Sequence, residues 1–474
     1  MNTFVSRIKP SNLNPIQRDI HDPDLTVKND QGEDEINIVS IFYFKNLRSL
    51  PSLNEICLLD GTTSDSGKVS YKITKNYSQL INSFLHVELP ALRVKAEFKD
   101  ELKICWPPNI GLLIKNHGSL LFGDVNIQMT DTYSDLFMCE YFLDGSKRDS
   151  YKQMVGNVPE LTEFSTFIPR YDLFMPQFFF YSSDISKSIP LFLFPSVESV
   201  KHNYEFNLRI GDFLRILQKN KDTGQWDHIK FSQCLNKIEG YNGHMMIPSP
   251  KLYGEFCFLT DYEMSQRMNN LNYTIYSFDF IPFESTNPQS LNTAVSITYS
   301  TSRPVQYIIS GAENVDSIDI LGVHHNFSTD LNSNGHSPIR KVGIRFKDET
   351  EFIELSAKIF EKVMPFTRNG TDLSSSHLLF FPYSYIPMNY QNDTDRNFSQ
   401  NCEFIYTLED TDPYLCPVEG AVEKQPVTTK MSKFKIISRV LTTRKLLWKL
   451  DIKHPTNSLL NKFVFVVDEV DLHT

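Results

Sequence analysis

No stretch of this chain stays apolar for the ~18 consecutive residues a helix needs to cross a bilayer, so no transmembrane helix is expected. The opening residues, MNTFVSRIKPSNLN, also lack the apolar core of a signal peptide. Cysteine pairing is missing. The seven cysteines (Cys57, Cys105, Cys139, Cys234, Cys257, Cys402 and Cys416) are odd in number and scattered, with no CxxC among them. That argues against a disulfide scaffold or a zinc knuckle, and for buried free thiols in a reducing, cytosol-like compartment. An excess of positive charge is missing too: 47 lysines and arginines face 57 acids, a formal net charge of −10. Direct packing onto a genome normally shows as a basic surface, so no specific nucleic-acid partner is expected.

Catalytic signatures are equally scarce. There is no GxSxG elbow, no GxGxxG and no Walker-type phosphate loop. A cupin-like metal site wants two histidines at i and i+2 on one strand, and no HxH occurs. His324 and His325 are adjacent, which on a strand sends them to opposite faces, and the twelve histidines read as surface or loop residues. The expectation is therefore a non-enzyme with no catalytic, cofactor-binding or metal-binding residues and no cofactor.

What the chain does have is aromatic residues, 36 Phe and 21 Tyr, which favour pleated, half-buried strands. The clearest strand is VKHNYEFNLRI. There Val200, His202, Tyr204, Phe206, Leu208 and Ile210 alternate with polar residues, the period-two pattern of a sheet wet on one face. Further strands are expected at Leu112–Ile114, Leu120–Met129, Phe178–Tyr181, Val295–Tyr299, Gln306–Ile309, Lys341–Phe346, Leu378–Tyr383, Phe434–Val440 and Phe463–Val467. Helical spacing appears twice: at Tyr133, Leu136, Phe137 and Tyr141, and at Phe352, Leu355, Ile359, Phe360 and Val363.

Each of these helices follows an alternating strand and an acidic turn. Val125, Ile127 and Met129 lead to Asp131; Val342, Ile344 and Phe346 lead to Asp348. A unit recurring once, about half a chain on, suggests a duplicated domain rather than a solenoid. The polar, turn-rich segment QKNKDTGQWDHIKFSQCLNKIEGYNGHMMIPSP marks the boundary.

Several stretches resemble, in collinear order, the double jelly-roll major capsid proteins of nucleocytoplasmic large DNA viruses (the iridovirus, phycodnavirus and marseillevirus kind). GSKRDSYKQMVGNVPELTEF, from Gly145, is similar to the family's Lys-Arg-Asp-Gly-Tyr run leading to Gly-Asn-Val-Pro. FMPQFFFYSSDISKSIPLFLFPSVESVKHNYEFNLRI, from Phe174, resembles the strands that close the first jelly roll. FCFLTDYEMSQRMNNLNYTIYSFDFI, ITYSTSRPVQYIISGAE, GIRFKDETEFIELSAKIFEKVMPF and LLFFPYSYIPMNYQNDTDRNFSQ follow in family order. The resemblance runs from about Ser70 to Leu450. It departs at the N-terminal box, of which FYFKNLRSL is a degraded remnant, and at Met129-Thr130-Asp131, where the family has a glycine pair.

The resemblance and the strand pattern together imply an all-β fold: two tandem eight-stranded antiparallel jelly-roll β-sandwiches with short helices in loops. The expected divisions are a polar arm at 1–35, a first jelly roll at 36–217, a linker at 218–252, a second jelly roll at 253–450 and an extension at 451–474. The implied function is a structural capsid protein that self-assembles as a pseudo-hexameric trimer into an icosahedral shell. Its implied partners are its own copies, minor capsid proteins and the internal virion membrane; its implied location is the virion, assembled in host cytoplasm. The alternatives are a minor or penton-type capsid or scaffold paralogue and a jelly-roll carbohydrate-binding attachment protein. Only Trp106, Trp226 and Trp448 are available as indole platforms for the latter.

Other features carry plain structural readings. The basic stretch KMSKFKIISRVLTTRKLLWK reads as a strand with snorkelling lysines, with a membrane or nucleic acid as its other use. The run Lys347 to Glu351 reads as a solvated helix start. Sequons fall at Asn76, Asn272, Asn326, Asn369, Asn392 and Asn397; Asn326, Asn369 and Asn392 are expected at outward loop tips.

Overall fold

A strand with one wet and one dry face needs a second layer to cover it, and both halves of the chain supply one. The structure, a computed structural model, describes residues 7–8, 26–28, 34–37, 54–63, 68–75, 77–143, 145–183, 187–234, 236–239, 246–259, 272–331, 333, 335–346, 353–369, 376–383, 396–409, 432–451 and 462–468.

The first sandwich contains β1 (Asn54–Leu58), β2 (Asp60–Thr63), β3 (Lys68–Lys72), β4 (Gln79–Leu89), β5 (Lys115–Phe122), β6 (Val125–Asp131), β7 (Tyr171–Pro176), β8 (Val200–Phe206) and β9 (Lys251–Cys257). They form two antiparallel sheets, ordered β7-β4-β9-β1 and β6-β5-β8-β3-β2. The alternation read in VKHNYEF is the burial pattern of β8: Val200, His202, Tyr204 and Phe206 point inward.

The second sandwich contains β10 (Asn272–Glu284), β11 (Thr293–Asn314), β12 (Ile339–Phe346), β13 (Ile353–Ser356), β14 (Leu379–Pro382), β15 (Arg396–Leu408), β16 (Lys433–Asp451) and β17 (Lys462–Asp468). Its order is β10-β16-β11-β15-β12-β13, with β14 on β11 and β17 on β16. β11 serves both layers: Thr293–Val305 pairs with β15, and Val305–Asn314 with β16. Pro304 stands at the changeover, where the register slips and the ladder can spare an N–H. With the two parts of β11 counted separately, the layers are β10-β16-β11-β14 and β11-β15-β12-β13. The first sandwich reads β1-β9-β4-β7 and β3-β8-β5-β6. The connectivity is the same strand for strand, so the chain is a pair of tandem jelly rolls.

Helix α1 (Thr132–Phe142) follows the β5–β6 hairpin, and helix α2 (357–369, with a π turn at Ile359–Val363) follows the β12–β13 hairpin. This corrects the repeat read from sequence, which set β6 against β12. Strand order sets β6 against β13, one strand further on. All the hairpin strands share a period of two, so periodicity alone could not tell one from the next.

The boundary also moves. Within 218–252, Arg215–Lys219 and Trp226–Ile229 pair into a small sheet with Leu102–Cys105. β9, expected to open the second roll, lies between β4 and β1 of the first. The turn-rich composition of this segment reflects an excursion from the first roll, which then returns for its last strand.

Three expected strands are something else. Leu112–Ile114 lies in the helical turn Ile110–Ile114. Leu120–Met129 is a hairpin turning at Gly123, whose φ of 63° a glycine adopts without strain. Phe178–Tyr181 follows the end of β7 at Pro176 and enters a helical turn at Phe180–Ser183, held by the Gln128 carboxamide. Phe179, Phe180 and Tyr181 are buried all the same, and Phe178 is half-buried. The expected helix from Phe352 begins instead as β13, and Phe352 itself lies outside the described residues. Of the 1–35 arm, the described parts are three short strands, Arg7–Ile8, Thr26–Lys28 and Asp34–Asn37, paired with one another. Of the 451–474 extension, β17 joins the second sheet along β16.

Candidate functional site

Where the rolls meet, β6 and α1 of the first lie on the outer face of β10, β16, β11 and β14 in the second. The polar centre of this seam starts from a helix cap. Asp131 ends β6 and accepts the Ser134 N–H at 2.7 Å, capping α1. Its carboxylate also accepts from Arg439 Nε at 2.9 Å and Nη2 at 2.5 Å. Arg439 donates onward to Glu284 Oε1 at 3.0 Å and lies over the Tyr133 ring at 5.1 Å. The Tyr133 hydroxyl donates to Glu313 Oε2 at 2.6 Å, and Glu313 Oε1 accepts the His325 N–H at 3.0 Å. Beside this, Asp279 accepts the Met129 N–H at 2.9 Å and Arg303 Nη1 at 2.7 Å. Arg444 donates to the carbonyls of Asn126 and Ile127.

Aromatic contacts flank the ions. Tyr141 stacks on Phe380 at 4.0 Å, Phe142 meets Tyr307 at 5.0 Å, and Trp448 packs between Phe122 and Phe194. Burial alone would raise the Asp131 carboxyl, but Arg439 and the Ser134 donors hold it below its ordinary value. Glu313 and Asp279 go the other way: burial raises both, outweighing their hydrogen bonds. Burial pushes His325 down to about 3 and His324 to about 4, so both are neutral at physiological pH.

Several sequence readings meet their outcome here. The basic stretch falls on β16 from Lys433 onward, and three of its cations are spent inside the molecule: Lys435 on Glu284, Arg439 on Asp131 and Arg444 on backbone carbonyls. His324 and His325 do lie in a loop, yet His325 takes a positive φ of 57° and packs edge-on against Tyr133, so it is not a surface residue. His202 is buried inside the first roll, with its Nε2 2.8 Å from the Tyr181 hydroxyl. Asn326 is no outward loop tip. It is buried, its carboxamide bonded to Ser317 Oγ, the Asp330 carbonyl and the Ser328 N–H. Asn76, Asn392 and the run from Lys347 to Glu351 lie outside the described residues, and the side chains of Asn272, Asn369 and Asn397 are not described. Cys105, Cys139, Cys234, Cys257 and Cys402 are buried free thiols and Cys57 is half-buried, while Cys416 lies outside the described residues. Trp106 and Trp448 are buried, and Trp226 sits under Lys103, so a row of indoles on the surface is not formed.

Two sheet faces of the first roll remain outside. The β6-β5-β8-β3-β2 face bears a shallow groove of about 770 Å³, lined by Lys68, Lys72, Lys201, Asp124 and Glu205 together with apolar residues such as Leu121 and Met129. The β7-β4-β9-β1 face carries Phe174, His86, Phe84, Tyr253, Leu58 and Ile56. On it, His86, Glu88 and Asp172 bring ligand-type atoms within 4.8 Å of one another. Each is already engaged: His86 Nε2 lies 3.1 Å from Asp172, and Arg170 donates to Glu88 at 2.6 Å. Sequence reading missed this trio because Asp172 joins His86 and Glu88 only through the register of β7 on β4.

Two jelly rolls sealed by a buried seam, with broad sheet faces left outside, define a double jelly-roll protein. Residues 53–259 match the family model described as the major capsid protein N-terminus. The chain is 25% identical over 178 residues to the major capsid protein of Lymphocystis disease virus 1, covering 36% of this chain and 38% of the relative. It is 23% identical over 242 residues to that of Trichoplusia ni ascovirus 2c, covering 48% of each. The chain thus spans less than half the length of these curated relatives. Among solved structures, the Faustovirus major capsid protein superimposes with a TM-score of 0.62 at 9% identity, over 83% of this chain and 90% of that one. PBCV-1 VP54 does so with a TM-score of 0.60 at 14% identity, over 83% and 94%. The chain is thus similar in sequence, over its first roll, to major capsid proteins of large DNA viruses, and shares the fold of their solved structures.

Proposed function

We propose that the chain is a structural capsid protein, a component of the virion shell that acts by geometry and not by catalysis. The observation that carries this reading is the seam: one chain locks two jelly rolls into a single block whose remaining sheet faces are free to meet neighbours. Self-association as a trimer brings six similar sandwiches into a pseudo-hexagonal unit. Many weak lateral contacts between such units then add up to a stable lattice. Assembly takes place in host cytoplasm, with minor capsid proteins and the inner membrane beneath the shell as further partners. Light scattering on the purified full chain tests the first step: a trimer supports the reading, and a monomer at every concentration overturns it.

A minor or penton-type role is the second reading. It is favoured by the match to probable capsid protein 4 of Acanthamoeba polyphaga mimivirus, 24% identical over 177 residues. Copy number in purified particles separates the two, since a shell protein dominates the particle and a paralogue does not.

A further inference from the structure

A lysine lies inside the first roll. Lys115 opens β5, and its ammonium is in direct contact with the carboxylate of Asp135 in the first turn of α1. Both side chains are 2% exposed. Lys152–Glu140 and Lys435–Glu284, by contrast, leave 29% and 33% of the lysine in water. The backbone fixes the buried pair as well: the Thr132 hydroxyl that opens α1 donates to the Lys115 carbonyl at 2.8 Å.

The surroundings give the two charges little support. Lys115 Nζ reaches Thr130 Oγ1 only at 3.3 Å and Gln177 Oε1 at 3.5 Å. Asp135 Oδ1 is buried and, among the described residues, accepts from no donor. The hydroxyls of Tyr151 and Tyr204, both of which feel the Asp135 charge, are likewise buried and unpartnered among the described residues. A buried ion pair needs its remaining lone pairs satisfied to offset the hydration it has lost, and this one has them open. Burial accordingly raises the Asp135 carboxyl above its ordinary value, outweighing the pull of Lys115. A carboxylic acid and an amine held in contact away from water are the reactants of an amide.

We infer that Lys115 and Asp135 condense into an isopeptide bond that ties β5 to α1. A proton first passes across the contact from ammonium to carboxylate, leaving a free amine and a carboxylic acid. The Nζ lone pair attacks Asp135 Cγ, and a C–N bond forms as one C–O bond breaks. The departing oxygen takes the acid proton and one amine proton and leaves as water, while the amide keeps the other N–H. Thr130 Oγ1, beside Nζ, is placed to relay the amine proton. No oxidant or reductant takes part. Fixed contact between the groups supplies the effective concentration that free reactants lack. The product is neutral, so two buried charges disappear, and the dry site keeps water from reversing the step. The bond closes residues 115–135 into a ring, which restricts the unfolded chain as a disulfide would. Because α1 seals the second roll through Tyr141 and Phe142, the link fastens the seam covalently to the first roll. The described cysteines are free thiols, and an amide reinforces such a chain in a form that reductants do not open. The link lies within one chain, so it stands or falls apart from assembly.

Peptide mapping of the folded full chain, denatured and reduced before digestion, reads the bond directly. Trypsin should leave Lys115 uncut and release residues 104–147 as one peptide, lighter than its sequence by one water. In Asp135→Ala the same digestion should cut at Lys115 and give 104–115 and 116–147 at full mass. The masses are read on unfolded chains, so the parent result decides even where Asp135→Ala folds poorly. A parent cut at Lys115, or a 104–147 peptide at full mass, overturns the bond and leaves an ion pair in its place. An uncut Lys115 in Asp135→Ala overturns it too, because the resistance then has another cause.

Discussion

Arg439 lies between Asp131 and Glu284 with 2% of its side chain exposed, and its loss would strand the Asp131 carboxylate in the seam. Breaking a buried pair from one side costs about 3–5 kcal/mol, mostly the penalty of the charge left behind. Arg439→Met should therefore lower the unfolding free energy from urea titration by that order. Asp131→Asn in the same chain should recover part of it, and a double-mutant cycle measures the coupling. A second residue-scale consequence concerns pH. The buried His202 has its folded pKa pushed down to about 3 from an ordinary 6.5. The unfolded chain then binds the proton first, so stability is full above about 6.5 and falls as pH drops toward 3. His324 and His325 act in the same direction. Denaturant titrations at pH 7, 5.5 and 4.5 should show this loss, and His202→Gln should flatten the slope. None of these partners was legible in sequence. Asp131 could be read as an acidic turn, but Arg439 lies 308 positions away and only the fold joins them.

Elements were more legible, because period-two alternation needs no distant partner. β8, β12, β14 and β16 appear where Val200, Lys341, Leu378 and Phe434 begin their runs. What failed were runs whose burial came from all sides. Phe178–Tyr181 is apolar throughout, and an apolar run carries no period to tell a strand from a helical turn. The single strand β11 was legible only as two, since the chain crosses from sheet to sheet around Pro304. Packing inside the hairpin can be tested at Gly118 of β5. A Cβ there would lie 2.7 Å from Thr130 Oγ1 and 2.9 Å from Tyr204 Cε1. Gly118→Ala should cost about 1–3 kcal/mol by overpacking, visible as a lower midpoint with an unchanged denaturant slope. An unshifted midpoint would show that the Tyr204 ring yields freely.

At the scale of the whole molecule, a boundary read from composition missed how strongly the rolls are joined. One buried apolar cluster contains the first roll's core and also Phe278, Phe280, Tyr307, Phe380, Leu441 and Trp448 of the second. Interfaces between domains of a chain are usually more polar and let the domains move or melt separately. Here stacked rings and a fully buried tryptophan belong to the seam, so neither roll can open without exposing the other's face to water. Calorimetry should therefore show one coupled transition for the parent chain. Replacing Tyr141 and Phe142 of α1 by alanine removes the rings that cover Phe380 and Tyr307, at about 3–5 kcal/mol for each buried aromatic. That variant should melt in two steps, the first roll separating from the second. Two resolved transitions in the parent would mean that the rolls are held by loops and not by the seam.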